Sequence, residues 1–253
     1  MEVLSRAVGP LATNVHIVAD PASREAIAID TATPCLDHVA GDLLARGWRL
    51  RLIVSSHGHW DHIGDNAPLQ AWSREQLTHL AEHGHLVGGM GQWSAKEWGT
   101  AGAGEEAEAA DEDAEAAIAC HPLDRDRLIH PQPLFAPFEI PPSVPAVELA
   151  EGGRVRVGAV DLEVLHTPGH TEGSVCLYAA DDGLLFSGDT LFRAGWGRTD
   201  LPGGSAEAMA ESLARLAALP DHVRVLPGHG PSTTIGAERA LLELVRERGR
   251  LPL

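Results

Sequence analysis

Cysteine is scarce and unpaired: Cys35, Cys120 and Cys176 are the only three in 253 residues, and no two of them form a CxxC. That excludes a disulfide framework or a thiolate zinc site and suits a reducing cytoplasm, where the protein is expected to act. Lysine is nearly missing, since Lys96 stands beside eighteen arginines, a bias of composition rather than of function. No basic stripe offsets a net charge of −17, so a nucleic-acid backbone would be repelled. No apolar run reaches the roughly eighteen residues of a membrane span. The start, MEVLSRAVGPLATNVHIV, lacks the basic and hydrophobic regions of an export signal. A single soluble domain over residues 1–253, with no nucleic-acid or membrane partner, is therefore expected. The oligomeric state is left open.

What the chain does contain is a regular alternation of short apolar runs and helical patterns. NVHIVAD (14–20), EAIAID (25–30) and LRLIVSS (50–56) read as strands, as do VRVGAVDLEVLHT (155–167), SVCLYAA (174–180), GLLFSG (183–188) and HVRVLPG (222–228). PCLDHVAGDLLARG (34–47), SAEAMAESLARLAALP (205–220) and TIGAERALLELVRERG (234–249) carry helical spacing, with Gly47 suited to a helix stop and Ser205 to an N-cap. The pattern implies a layered α/β fold. Residues 72–117 interrupt it as a Gly-rich and acidic insertion whose last part, GEEAEAADEDAEAA, holds seven acids. Its simplest reading is a solvated helix or loop.

The polar residues with the most chemistry sit at strand ends. LRLIVSS runs into HGHWDHIG (57–64), which offers His57, His59, Asp61 and His62; VLHTPG ends at His170, LLFSG at Asp189 and VRVLPG at His229. In open α/β sheets, sites form beyond strand carboxyl ends because side chains from distant segments converge there. Neutral imidazole and carboxylate suit a borderline divalent cation without thiolate. Two cations roughly 4 Å apart need a bridging carboxylate to offset their repulsion. Fourteen histidines would produce local clusters by chance, and it is the set across four strand ends that carries weight. His79, His83 and His85 read as a solvated helix end, His121 and His130 as loop residues, and Cys176 as a buried thiol.

HGHWDH, TPGHTEGS, SGDTLF and PGHG, in that order, resemble the metallo-β-lactamase superfamily. GDTLFRAGWGRTDLPGG and LPGHGPSTTIGAER are similar to its glyoxalase II (hydroxyacylglutathione hydrolase) type members. The resemblance implies a four-layer αββα sandwich with a dinuclear site at one edge of its sheets. His57, His59 and His170 match the first metal's ligands, Asp61, His62 and His229 the second's, and Asp189 the bridging carboxylate. The implied cofactors are two divalent ions, zinc first, with iron or manganese as alternatives. Arg198 matches a basic residue near the substrate's glutathione carboxylates, or else pairs with Asp200. Thr199, Asp200, Leu201 and Pro202 stand where glyoxalase II has aromatic and acidic residues, and no further helical region follows the last helix here.

The expected activity is thioester hydrolysis of a small-molecule substrate, with a hydroxide shared by the metals as nucleophile and Asp61 as ligand and aiming group. A persulfide dioxygenase using one iron, which shares the GRTD loop, is the alternative. A non-catalytic metal-binding scaffold would need only four ligands, fewer than the seven present.

Overall fold

The computed structural model describes residues 1–83, 115–132 and 138–252. The first half contains β1 (Glu2–Val8), β2 (Thr13–Asp20), β3 (Glu25–Ile29), α1 (Leu36–Arg46), β4 (Arg49–Val54), α2 (Trp60–Ile63), α3 (Asn66–His83), β5 (Ala117–Cys120), α4 (Arg125–Ile129) and β6 (Val147–Glu148). Its six strands form one sheet in chain order, the first three antiparallel and the rest added in parallel.

The second half contains β7 (Arg154–Val157), β8 (Val160–His166), β9 (Val175–Ala179), β10 (Leu184–Gly188), β11 (Leu191–Phe192), β12 (Gly195–Trp196), α5 (Ala206–Leu216), β13 (Arg224–Pro227), β14 (Thr233–Thr234) and α6 (Ile235–Arg248). The second sheet runs β14-β13-β10-β9-β8-β7, and β11 and β12 make a small ribbon beside it.

Period-two alternation sends neighbouring side chains to opposite faces of each sheet, and here both faces are buried. Ile27, Ile29, Leu52 and Val54 point inward against Leu162, Leu177 and Phe186 of the second sheet. Ala28 and Ile53 point outward under Val39 and Leu43 of α1 and Leu69 and Trp72 of α3. On the other side, Cys176, Leu185 and Val225 pack under Met209 and Leu213 of α5 and Leu242 and Val245 of α6. The result is the four-layer αββα sandwich. Among the described residues no helix is long and apolar enough to cross a membrane.

The helix ends follow local chemistry. Gly47 closes α1 in the left-handed region at φ 63°, and Ser205 Oγ accepts from Ala208 N to cap α5. Helix α1 has no cap from its own N-cap side chain. Buried Asp65 supplies it from a distance, accepting from Cys35 N at 2.6 Å, Leu36 N at 2.8 Å and the Thr33 hydroxyl at 2.6 Å. Asp65→Ala strands one buried and one part-buried N–H group at a helix start, and urea unfolding is expected to show a loss of about 2–4 kcal/mol. A loss below about 0.5 kcal/mol would mean that the cap carries no weight.

Three sequence expectations change. Residues 72–83 belong to α3, whose Trp72 is buried in the core, and 117 already starts β5, so the insertion is shorter than 72–117. Leu69 and Trp72 one turn apart are the helical signal that the strand-poor composition hid. The run 155–167 is a hairpin, β7 and β8 turning at Gly158-Ala159, because both strands are apolar on the same face and the two-residue turn leaves the pattern unbroken. The edge strand β1 was not among the expected strands. The acidic run up to residue 114, and the side chains of His79, His83 and His85, lie outside the described residues.

Candidate metal centre

The site forms where one end of each sheet meets the other. Asn14 N donates to Gly228 O at 2.7 Å and Val175 N to Ser56 O at 2.8 Å, stitching the two sheets together at this edge. His57 follows β4 and precedes His59, Asp61 and His62 on and before α2; His170 follows β8, Asp189 follows β10 and His229 follows β13. All seven expected ligands converge; five are buried, and His59 and His229 are half-buried. Gly228 permits the approach, since a Cβ there would lie 2.4 Å from Asp189 Oδ1 and 2.7 Å from His62 Cε1.

Two trios emerge. The donor atoms of His57, His59 and His170 lie within 4.8 Å of one another, as do those of Asp61, His62 and His229. Within the first, His59 Nδ1 is 2.8 Å from His170 Nε2. Within the second, His62 Nε2 is 3.2 Å from His229 Nε2 and 3.4 Å from Asp61 Oδ2, and His229 Nε2 is 3.2 Å from that same oxygen. Two donors on one tetrahedral ion, each about 2.0–2.1 Å from it, stand roughly 3.3 Å apart, so these spacings fit. Asp189 lies between the trios, with Oδ1 3.5 Å from His62 Nε2 and Oδ2 3.3 Å from His170 Nε2 and 3.6 Å from His229 Nε2.

The outward nitrogens of His57, His170 and His229 are anchored, which fixes their tautomers. His170 Nδ1 donates to Arg198 O at 2.7 Å and His229 Nδ1 to Leu11 O at 3.1 Å. The Ser56 hydroxyl donates to Asp30 Oδ2 at 2.8 Å, so His57 Nδ1, 3.1 Å from Ser56 Oγ, carries the proton of that contact. That leaves the lone pair on His57 Nε2, a buried atom with no hydrogen-bond partner; Asp189 Oδ1 is a second such atom. Orphaned buried polar atoms are costly, and cations held by these residues would satisfy both. The residues present fit a metal pair.

The electrostatics agree. Burial, reinforced by the surrounding imidazoles, pushes His57 well below the ordinary histidine value and His59 to about 3, so both are neutral and able to donate lone pairs. Burial also acts against a charge on His62, but Asp61, Asp189 and Asp30 outweigh it and hold the ring protonated up to about pH 10. A proton stabilised by three carboxylates occupies the place of a cation. Burial pushes Asp61 up, yet His62 and His229 prevail and keep its carboxyl well below the usual range.

Sequence reasoning missed the residues behind the ligands. Asp30 at the end of β3 accepts from Ser56 N at 2.8 Å and faces His62 Nδ1 at 3.1 Å, an ion-pair approach not aligned as a hydrogen bond. Its place at a strand end was the available signal. Thr13 donates to Asp61 Oδ2 at 3.1 Å, and Asp124 reaches the site from the turn before α4. Arg198 is clasped by Asp200 through two contacts of 2.7 Å, and its guanidinium is exposed. His121 stacks on His166 with ring centroids 4.1 Å apart, apart from the two trios, and Cys176 is a buried thiol, pushed up to about 11 by that burial.

Beneath the centre, buried His16 contacts Ser5 Oγ at 2.8 Å and Phe186. Burial, partly offset by Asp30, pushes its ring down to about 4. The folded state thus refuses a proton that the unfolded chain accepts below about pH 6.5. Stability is full above that pH and falls as pH drops from about 6.5 towards 4, by about 3 kcal/mol from this group. Urea unfolding of chelated protein at pH 7 and 5 is expected to show a smaller pH loss for His16→Gln than for wild type. An equal loss in both would contradict the assignment.

The family model described as the metallo-beta-lactamase superfamily matches residues 8–229. The chain belongs to the metallo-beta-lactamase superfamily. An uncharacterized protein of Aquifex aeolicus (strain VF5) is 34% identical over 242 residues, covering 92% of both chains. A protein of Methylococcus capsulatus (strain ATCC 33009 / NCIMB 11132 / Bath) named hydroxyacylglutathione hydrolase is 32% identical over 219 residues, which cover 85% of this chain but 61% of that one. Among solved structures, TTHA1623 in a di-iron-bound form is 30% identical, with a TM-score of 0.67 and coverage of 93% of this chain and 96% of that one. In this superfamily member the seven strand-end residues are thus metal-competent His and Asp clusters, and the protein is a metallo-hydrolase in that broad sense.

Proposed function

We propose that the protein hydrolyses thioesters of the hydroxyacylglutathione type, using two divalent ions held by the two trios and shared through Asp189. The convergence of seven donor atoms into two trios with one carboxylate between them supports this reading above all. The Methylococcus relative, named for that activity, supports the substrate class. The chain spans less than two thirds of that relative, so the thiol part of the substrate belongs to the proposal and not to the family assignment.

Bound, the ions supply Lewis acidity toward a carbonyl oxygen and lower the pKa of water to near neutrality. The chain's own residues do the rest. Asp61, kept ionised by His62 and His229 and fixed by Thr13, accepts a hydrogen bond from the attacking water and sets its direction. The anchored imidazoles of His57, His170 and His229 keep their donor atoms in place without reorganisation. A thiol leaves readily as thiolate because its pKa is about 8.5, so no separate general acid is required. Arg198 exchanges its exposed pairing with Asp200 for a carboxylate of the substrate.

A panel of S-lactoylglutathione, simple thioesters and glutathione persulfide tests the reading. Hydrolysis of thioesters, fastest with S-lactoylglutathione, is expected, with no oxygen uptake on persulfide. Oxygen uptake without thioester hydrolysis would replace the hydrolase by a persulfide dioxygenase, in which a single iron would leave one trio idle.

A further inference from the structure

Asp124 lies outside both trios, yet it is fully buried and accepts from four donors. Oδ2 accepts from Gly58 N at 2.7 Å and from the Thr171 hydroxyl at 2.6 Å; Oδ1 accepts from Gly173 N at 3.1 Å and from Arg127 Nε at 3.3 Å. Gly58 is the residue between His57 and His59, and Thr171 follows His170. One carboxylate therefore ties the backbone between two donors of the first trio to the residue after the third. These loops have no slack: a Cβ at Gly58 would lie 2.6 Å from Arg127 Cβ, and one at Gly173 would lie 2.7 Å from Asp124 Cγ.

The second trio is held by other groups. Asp61 takes the Thr13 hydroxyl, His62 faces Asp30 and His229 donates to Leu11 O. None of the hydrogen bonds of Asp124 reaches that trio, whose link to the first is the approach of His57 to His62, with ring centroids 4.1 Å apart.

We infer that Asp124 is the positioning residue of the His57, His59 and His170 trio alone, so that its loss weakens one of the two ion sites about 10–100-fold and spares the other. The inference rests on the two-ion reading above. It follows from the reach of a hydrogen bond: groups that orient a metal ligand without touching the metal govern affinity by about 10–100-fold, and Asp124 orients one trio only.

Stepwise zinc affinities, measured by chelator competition on the full chain together with elemental analysis, test it. Wild type is expected to hold two ions, and Asp124→Ala to bind one of them about 10–100-fold more weakly with the other affinity unchanged. Asp124→Asn, which keeps an acceptor for Gly58 and Thr171 but sets an NH₂ group against Gly173 N and Arg127, is expected to fall between them. Unfolding of the chelated proteins reports whether Asp124→Ala keeps its fold. Should it not, Thr171→Val decides, with about a tenfold loss at one site only. Equal weakening of both sites, or two unchanged affinities in these variants, overturns the inference and leaves the two-ion reading standing. A wild type that takes up fewer than two ions overturns that reading first, and with it the selectivity inferred for Asp124.

Discussion

Asp189→Ala is expected to lower thioester turnover by a factor of roughly 10³ or more, equivalent to about 4 kcal/mol of lost transition-state stabilisation. Asp189 is the group that faces both trios, through Oδ1 toward His62 and Oδ2 toward His170 and His229. Two cations at short range repel, and without the carboxylate between them the pair is disfavoured before any chemistry starts. The fold should survive, since Asp189, though buried, sits at the sheet edge and its Oδ1 has no hydrogen-bond partner to lose. Steady-state kinetics with S-lactoylglutathione, beside a thermal melt, check this. A variant with more than a tenth of wild-type kcat would show that Asp189 is not the shared ligand.

Chelation carries the second large effect. Activity is expected to vanish with the ions and to return when they are restored. Unfolding stability should drop by about 2.7 kcal/mol when the free ion had stood at 100 times its Kd, or roughly 5–10 °C in Tm for a chain of this length. Three carboxylates, Asp30, Asp61 and Asp189, then share one pocket, and protonated His62 is the cation among them. Because His62 stays protonated up to about pH 10 without metal, an ion arriving at pH 7 must displace that proton. Calorimetric titration in buffers of different ionisation enthalpy is expected to show net proton release. No release, or full activity in the chelated protein, would contradict the site.

Much of this architecture can be read along the chain, for a physical reason. Strands buried on both faces are continuous apolar runs, so β2, β3, β4, β9, β10 and β13 stand out, and a histidine or aspartate directly after such a run is delivered to the sheet edge where sites form. HGHWDHIG, His170, Asp189 and His229 come together because all follow strands that end at one edge of the sandwich. What escaped is what depends on tertiary context. The β1 sequence EVLSRAV is largely exposed on an edge and carries a weak pattern. Helix α3 continues into a segment whose Gly-rich sequel disguises it. Asp30 ends a strand as the ligands do, but nothing in EAIAID separates a supporting carboxylate from a capping one. Asp124 sits in HPLDRDR, where no periodicity marks it; its role exists only because two loops more than 40 residues away in sequence fold onto it.

The central claim, two ions in two trios, is tested most directly by metal content per chain in the protein as purified, determined by elemental analysis against quantified protein. Close to two divalent ions per chain is the expected result. One iron per chain, unchanged after incubation with excess zinc or manganese, would contradict it.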